Sequence, residues 1–136
     1  MIKRKKGQGK VRNATPNIFD GIKFRSKLET YCYQKLKEAK IDAKYEAEHF
    51  LLIPKFEYNG EKIRPMTYLP DFVGNGFIIE CKGPMTDSFP LRFKIFKYSL
   101  LLQGKNPKLY LVRNQKQVDQ MITDLLKNEN YELCQN

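Results

Sequence analysis

Two β-like segments that flank Asn75-Gly76 constrain the fold of this chain more than any other feature. Thr67–Val73 precedes this dipeptide and Phe77–Lys82 follows it. Asn-Gly is a common turn of two-residue β-hairpins. With such a turn, Asp71 is paired directly with Glu80. The sequence therefore predicts two adjacent antiparallel strands with one carboxylate on each strand.

The two carboxylates of this predicted hairpin lie on one face. Side chains alternate along a strand, so Asp71, Glu80 and Lys82 share that face with apolar neighbours. Opposed residues have Cβ atoms roughly 4.5–5.5 Å apart, and like charges at that spacing are destabilising. A divalent cation and the Lys82 ammonium group would neutralise them. Because all ligands are oxygens, Mg²⁺ or Mn²⁺ is favoured over zinc. We therefore predict that Asp71, Glu80 and the backbone carbonyl of Cys81 hold the ion.

Such a site suits the hydrolysis of a phosphodiester bond. A bound divalent ion lowers the pKa of a water molecule and stabilises charge on a phosphate. Lys82 has three open roles, since it could orient that water, deprotonate it or neutralise the transition state. The sequence does not choose among them.

A further acidic residue, Glu29, lies on the first predicted helix, which begins at Ser26 and continues to near Lys40. Glu29 lies about 20° around this helix from Leu36. A carboxylate on that apolar side is costly without a partner. Ser26 and Glu29 also have the spacing of a capping box. Two roles stay open for Glu29. It is either a catalytic residue that also binds the metal, or a helix cap.

The charge of the chain indicates a polyanionic partner. The net charge is +10 with a pI of about 9.5, which favours nucleic acid. Residues 1–17 are predicted to be a flexible basic arm, which either contacts DNA or is a solvated tail. Six of its positive residues precede the first acidic residue, Asp20, and leave +4 for the remainder. The candidate DNA-binding residues are Lys3, Arg4, Lys5, Lys6, Lys10 and Arg12 in the arm, and Arg92, Lys94 and Lys97 on a later helix, where a solvated basic face is the alternative.

Residues 18–136 are expected to form a single domain. The α-β-β-β-α-β-α order of its elements predicts an α/β (α+β) fold, with a central mixed β-sheet flanked by helices. Besides the elements above, the predicted elements are hairpin turns at Asp20-Gly21 and Asn59-Gly60, strands at Tyr45–Ile53, Phe56–Tyr58, Lys108–Arg113 and Tyr131–Cys134, and helices at Asp87–Gln103 and Gln117–Lys127.

The predicted helix Asp87–Gln103 is apolar on two sides. One stripe contains Leu91, Ile95, Tyr98 and Leu102, and the other contains Phe93, Phe96 and Leu100. One stripe is expected to cover the sheet. The other needs the final helix or a second subunit to cover it, because large exposed apolar patches are uncommon on monomers.

Several classes of protein are disfavoured. The three cysteines, Cys32, Cys81 and Cys134, have no motif spacing that indicates a disulfide framework or a zinc site, and Cys81 is expected to be a buried small residue. The single histidine, His49, lacks the partners of an HNH nuclease, an HExxH protease or a catalytic triad, and is expected on a strand. No apolar run reaches the roughly 20 residues of a membrane span. We expect a cytoplasmic protein without a membrane partner.

A family resemblance adds to these observations. Pro70-Asp71, eight intervening residues and Glu80-Cys81-Lys82 resemble the signature of the PD-(D/E)xK nuclease superfamily. The Ser26-x-x-Glu29 helix is similar to that of endonuclease I-type junction resolvases and transposase nuclease subunits. More closely, the chain resembles a small phage-encoded family related to the endonuclease I-type Holliday-junction resolvases. The shared motifs occur here as Gly21–Glu29, Tyr68–Phe72 and Glu80–Gly83, and the resemblance covers about residues 19–113.

The resemblance implies a restriction-endonuclease-like core with Glu29, Asp71, Glu80 and Lys82 as the active set. It implies an Mg²⁺- or Mn²⁺-dependent endonuclease of branched DNA, most concretely a Holliday-junction resolvase in the cytoplasm of a phage host. A nicking or restriction-like endonuclease and a non-catalytic DNA-binding module that keeps the fold are the alternatives. A four-way junction needs two symmetric nicks, so we expect a homodimer with both metal sites facing the DNA.

Overall fold

A computed structural model describes the backbone of residues 17–86 and 88–135, with side chains as far as residue 128. Of the predicted basic arm, only Asn17 belongs to this part of the chain. The six candidate DNA-binding residues of the arm lie outside the described residues. The described residues separate into two compact units. The first unit combines residues 17–41 with residues 113–135, and the second unit is the continuous segment Asp42–Val112.

The first unit begins with an antiparallel hairpin of β1 (Asn17–Phe19) and β2 (Ile22–Phe24). The two turn residues, Asp20 and Gly21, have φ angles of 54° and 76°. Two positive φ angles are what a type I′ turn requires, and Asp and Gly adopt them at low cost. This hairpin confirms the turn that the sequence predicts.

Two helices complete the first unit. The predicted first helix is confirmed as α1 (Lys27–Glu38), which contacts α3 (Gln115–Gln135). The hydroxyl of Tyr31 on α1 donates a 2.7 Å hydrogen bond to Oδ1 of Asp119 on α3. The buried apolar side chains of this unit are Phe24, Cys32, Leu36, Val118, Met121 and Leu125.

The end of α3 corrects the sequence prediction. The predicted helix Gln117–Lys127 is present but longer, and it includes the backbone of the predicted strand Tyr131–Cys134. That strand prediction is wrong. No Gly or Pro occurs between residues 115 and 135, so nothing in the sequence ends the helix earlier.

The second unit contains a mixed four-stranded sheet in the order β10-β9-β8-β3. The central strand β9 (Phe77–Cys81) is parallel to β10 (Lys108–Val112) and antiparallel to β8 (Phe72–Gly74), and β8 is antiparallel to β3 (Ala43–Tyr45). Helix α2 (Phe89–Leu102) connects β9 to β10. The chain is thus mixed α/β with three helices among its described residues, which confirms the predicted fold class at this level.

Two predicted strands are each divided in the structure. The segment Thr67–Val73 forms β7 (Met66–Tyr68) and then β8, which belong to different sheets. Pro70 lies between them and cannot donate a hydrogen bond to a sheet.

The segment Tyr45–Ile53 is interrupted in the same way. It forms the end of β3 and then β4 (Phe50–Ile53), with Glu46 at a φ of 45° between them. His49 is exposed in this connection rather than on a strand, so its strand prediction is wrong. Strand β4 pairs with β7, and this pair forms a separate two-stranded sheet.

The hairpin predicted at Asn59-Gly60 is confirmed as β5 (Phe56–Tyr58) and β6 (Glu61–Ile63). Its turn residues Asn59 and Gly60 have φ angles of 49° and 81°. All three residues of β5 are exposed.

Helix α2 begins and ends within two residues of its predicted bounds, although Asp87 lies outside the described residues. Its stripe of Phe93, Phe96 and Leu100 packs in the hydrophobic core of the second unit. Ile78 on β9 of the four-stranded sheet belongs to the same core. Other side chains of α2 are exposed and form what we call the outer face of α2: Leu91, Tyr98, Leu101 and Leu102. Thus one apolar stripe covers the sheet, as predicted, and most of the other is in contact with solvent.

None of the described helices is both long enough and apolar enough to cross a membrane.

Candidate active site

Asp71 lies immediately before β8, at the point where the antiparallel ladder with β9 ends. The last pair of this ladder is Phe72 with Ile79, so the register is the predicted one, but Asp71 is outside the strand. Its Oδ2 atom accepts a 2.7 Å hydrogen bond from the backbone N–H of Cys81. In a longer ladder of the same register Cys81 would pair with Pro70, whose nitrogen has no hydrogen to donate. The Asp71 side chain therefore bonds to β9 where regular pairing stops.

The Cys81 carbonyl group is directed to the same side as Asp71. The backbone N–H of Lys82 donates to the carbonyl of Val112 on β10 at 2.9 Å. No described peptide bond is cis, and in a trans peptide the C=O of Cys81 and the N–H of Lys82 point in opposite directions. The Cys81 carbonyl thus points away from β10, towards the side where Asp71 accepts from Cys81. Cys81 is itself buried, as predicted.

Glu80 lies on β9 and its carboxylate has a polar contact at each oxygen. The hydroxyl of Tyr68 donates to Oε1 at 2.8 Å. The ammonium nitrogen of Lys82 lies 4.0 Å from Oε2. Asp71 is 7% exposed and Glu80 8%, so both carboxylates are in an environment where charge is costly unless it is compensated.

Lys82 is held beside Glu80 by an aromatic ring. Its ammonium nitrogen lies 4.4 Å from the ring centroid of Phe89, the first residue of α2. A cation over a ring face at this distance is attracted to it. The Lys82 side chain is 25% exposed, so a solute at the surface can reach its charge.

Tyr68 is a site residue that the sequence prediction did not single out. Burial, the charge of Glu80, the hydrogen bond to Glu80 and the charge of Asp71 raise the pKa of Tyr68 far above its usual range, and the charge of Arg92 opposes them. Both carboxylates therefore act on this hydroxyl electrostatically. The recurring Tyr68–Phe72 motif was the available signal, but a motif does not show which atom the hydroxyl contacts.

Glu29 belongs to the first unit, whereas Asp71, Glu80 and Lys82 belong to the second. It is buried, and its backbone N–H donates to Oγ of Ser26 at 3.2 Å. Its Oε1 accepts from the backbone N–H of Arg25 at 3.0 Å. In a standard capping box the Glu29 carboxylate would accept from the backbone N–H of Ser26. Because it accepts from that of Arg25 instead, this is a variant of the capping box. The cap role of Glu29 is therefore present, and its catalytic role stays a prediction.

The three candidate DNA contacts on α2 differ from one another. The guanidinium group of Arg92 donates to the backbone carbonyl of Thr67 on β7 at 2.7 Å, so part of its hydrogen-bonding capacity has a structural use. Lys94 and Lys97 are exposed, and the Lys97 ammonium lies 4.8 Å from the ring centroid of Phe93.

The donor set fits an Mg²⁺ or Mn²⁺ ion of the kind that keeps several waters. Such an ion needs only one or two carboxylates from the protein, with water and substrate oxygens as its other ligands. Asp71 and Glu80 supply two, and the Cys81 carbonyl is a third oxygen on the Asp71 side. No group of three or more His, Cys, Asp or Glu side chains that could hold a metal occurs among the described residues. A cage made of protein side chains alone is therefore not what this part of the chain offers.

Residues 10–119 match a protein family described as "Protein of unknown function (DUF1064)". The match covers most of the chain, including Glu29, Asp71, Glu80 and Lys82, and the chain belongs to this family. No curated protein and no solved structure matches the chain.

Proposed function

We propose that this chain is a divalent-metal-dependent DNA endonuclease with a restriction-endonuclease-like core. One observation carries the proposal, the burial of two carboxylates at neighbouring places: Asp71, which precedes β8 and accepts from the Cys81 N–H, and Glu80, the residue before Cys81 on β9. The ammonium group of Lys82, 4.0 Å from Glu80, gives the site an acidic and a basic side. A buried pair of carboxylates is destabilising without compensating positive charge, so its presence in this chain supports a chemical use.

In this proposal Asp71, Glu80 and the Cys81 carbonyl hold Mg²⁺ or Mn²⁺. When bound there, such an ion would lower the pKa of a water molecule and stabilise negative charge on the scissile phosphate. Asp71 and the Cys81 carbonyl are fixed relative to each other by the hydrogen bond from the Cys81 N–H. Lys82, kept in place by Phe89, presents a partly exposed positive charge to the phosphate or to its attacking water.

DNA is the proposed substrate because the chain has a net charge of +10, and Lys94 and Lys97 expose positive charge on the helix that follows the site. Contacts of this kind bind the phosphate backbone without reading sequence. A four-way or otherwise branched junction is the proposed structure, on the strength of the family resemblance. The arm residues before Asn17 would add affinity of the same kind.

The decisive experiment is a cleavage panel on linear duplex, single-stranded, flap and four-way-junction DNA, with Mg²⁺, with Mn²⁺ and with EDTA. We expect cleavage of the junction only when a metal is present. Cleavage in EDTA would refute the metal site. Nicks in linear duplex would favour a nicking or restriction-like enzyme, and binding of DNA without cleavage in either metal would favour a non-catalytic module.

Two substitutions test the site itself. Asp71→Asn and Glu80→Gln should each lower cleavage by more than about 100-fold, the upper range for loss of a group that merely supports a metal ligand. DNA affinity should stay equal or rise, because a negative charge near phosphates is removed. Glu57→Gln on the exposed strand β5 is the matched control and should cleave normally. Near-normal cleavage by either site variant would show that the assignment is wrong.

A further inference from the structure

We propose that Tyr68 is a positioning residue that makes this site select Mg²⁺ over Ca²⁺, by restricting Glu80 to coordination through a single oxygen. The inference rests on the metal site proposed above and goes further, because it assigns the choice of ion to a residue that touches no metal. It is carried by the hydrogen bond from the Tyr68 hydroxyl to Oε1 of Glu80.

The Tyr68 hydroxyl cannot easily move away from Glu80. The residue is 5% exposed, and its ring centroid is 4.6 Å from that of Phe96 and 6.4 Å from that of Phe93. Both phenylalanines lie on α2. The ring is therefore enclosed by the helix, and its orientation fixes the direction in which the hydroxyl donates.

The backbone of Tyr68 is fixed as well. Tyr68 is paired with Phe50 in the two-stranded sheet of β4 and β7. The preceding residue, Thr67, accepts the 2.7 Å hydrogen bond from Arg92 on α2. The strand pairing and the hydrogen bond between Thr67 and Arg92 thus hold Tyr68, the donor of the 2.8 Å hydrogen bond to Glu80, in place.

Each carboxylate of the site has one oxygen that accepts a short hydrogen bond from the protein. Tyr68 donates to Oε1 of Glu80, and the Cys81 N–H donates to Oδ2 of Asp71. A cation that approached one of these oxygens would have to compete with the hydrogen already directed at it. Coordination through Oε2 of Glu80 avoids the hydrogen that Tyr68 directs at Oε1, and Oε2 is the oxygen that lies 4.0 Å from the Lys82 ammonium nitrogen.

This arrangement discriminates between the two ions because of their coordination. Mg²⁺ takes six oxygens in a near-ideal octahedron and usually keeps several waters, so single-oxygen ligation by carboxylates suits it. Ca²⁺ takes six to eight oxygens and frequently binds a carboxylate through both. The Tyr68 hydrogen bond therefore disfavours the mode that Ca²⁺ uses and leaves the Mg²⁺ mode intact.

The test is a titration of the full metal-free chain with Mg²⁺ and with Ca²⁺ by isothermal calorimetry, which does not depend on cleavage. In Tyr68→Phe we expect the Mg²⁺ dissociation constant to rise about tenfold, the lower range for loss of a residue that orients a metal ligand. The Ca²⁺ constant should change less than about twofold, because freedom to bind through two oxygens offsets the loss of orientation. Tyr31→Phe is the control, since it removes an exposed tyrosine hydrogen bond to a carboxylate in the first unit, and it should change neither constant.

A second variant keeps the test valid if Tyr68→Phe folds poorly. Glu80→Asp shortens the side chain by one methylene and breaks the same hydrogen bond from the acceptor side. With the bond lost from the acceptor side, Glu80→Asp alone should weaken Mg²⁺ binding more than Ca²⁺ binding, and equal changes in the two dissociation constants would refute the selectivity role of Tyr68.

The outcomes separate the two proposals. If the wild-type chain binds neither ion, the proposed metal site and the role of Tyr68 both fall. If the wild type binds Mg²⁺ but Tyr68→Phe changes both constants equally or neither, the metal site stands and the selectivity role is refuted.

Discussion

The substitution Gly74→Ala should destabilise the hairpin that carries Asp71 and Glu80. Gly74 pairs with Phe77 beside the Asn75-Gly76 turn, and the buried Phe77 ring lies across the glycine. A Cβ atom at residue 74 would overlap Cζ, Cε1 and Cε2 of that ring, the farthest of them only 2.7 Å away. Overpacking of this kind costs about 1–3 kcal/mol.

Gly83→Ala is the matched control for this prediction. Nothing lies within 4 Å of a Cβ atom built on Gly83, and its φ is not positive. Both substitutions restrict the unfolded chain equally, which is worth about 0.4–1 kcal/mol of stabilisation. That contribution cancels when the two variants are compared. The difference in their free energies of unfolding should therefore be about 1–3 kcal/mol, with Gly74→Ala the less stable.

Urea denaturation followed by far-UV circular dichroism measures this difference, since the chain has no tryptophan. With a typical slope of about 2 kcal/mol per molar, the two midpoints should differ by roughly 0.5–1.5 M. In a Phe77→Leu background the penalty should shrink, because the smaller side chain can move aside. Equal midpoints for Gly74→Ala and Gly83→Ala would refute the reasoning.

Three further predictions concern the rest of the molecule. Glu29→Gln keeps an oxygen for the Arg25 N–H, so we expect lost cleavage with a change of at most about 1 kcal/mol in stability; normal cleavage would leave Glu29 as a helix cap alone. The hydrogen bond from Lys37, together with one from Tyr33, lowers the pKa of Asp20 in the folded protein. The ionised Asp20 therefore stabilises the fold above the unfolded pKa near 3.8. This stabilisation is lost as the pH falls through the lower pKa of the folded state. Asp20→Asn keeps the turn geometry and should lose less stability than wild type between pH 6 and pH 3 in urea titrations. Light scattering should give twice 16.1 kDa, because the outer face of α2 offers an apolar surface for two-fold pairing; a monomeric mass both free and on DNA would exclude the dimer.

Local chemistry explains which parts of the fold were predictable. The turns at Asp20-Gly21 and Asn59-Gly60 follow from two residues that tolerate positive φ, so each hairpin is encoded beside its own turn. The register that brings Asp71 close to Glu80 follows in the same way from Asn75-Gly76. At that turn only Gly76 has a positive φ, 85°, yet the two-residue connection suffices to set the pairing.

The contacts of the site that the sequence analysis missed depend on partners that are distant in sequence. Tyr68 reads as an ordinary strand residue until β7 is paired with β4, which begins 16 residues before β7. Only that pairing and the packing of α2 direct its hydroxyl at Glu80. The hydrogen bond from Arg92 to the carbonyl of Thr67 likewise has no local signal in the sequence, and the role of Arg92 as a phosphate contact stays a prediction. Residues whose role depends on non-local contacts carry no signal in local spacing.

The division of the chain into units has a consequence for the order in which it can fold. The second unit is one uninterrupted segment that ends at Val112, whereas the first unit needs residues on both sides of it. Because synthesis runs from the N-terminus, the whole sheet, with Asp71 and Glu80, leaves the ribosome before α3 does. Helix α1 must wait for α3, its packing partner, through the synthesis of more than 70 intervening residues. A nascent chain stalled just after Val112 would therefore have every residue of the sheet and its carboxylate pair, but a helix α1 whose apolar side still lacks α3.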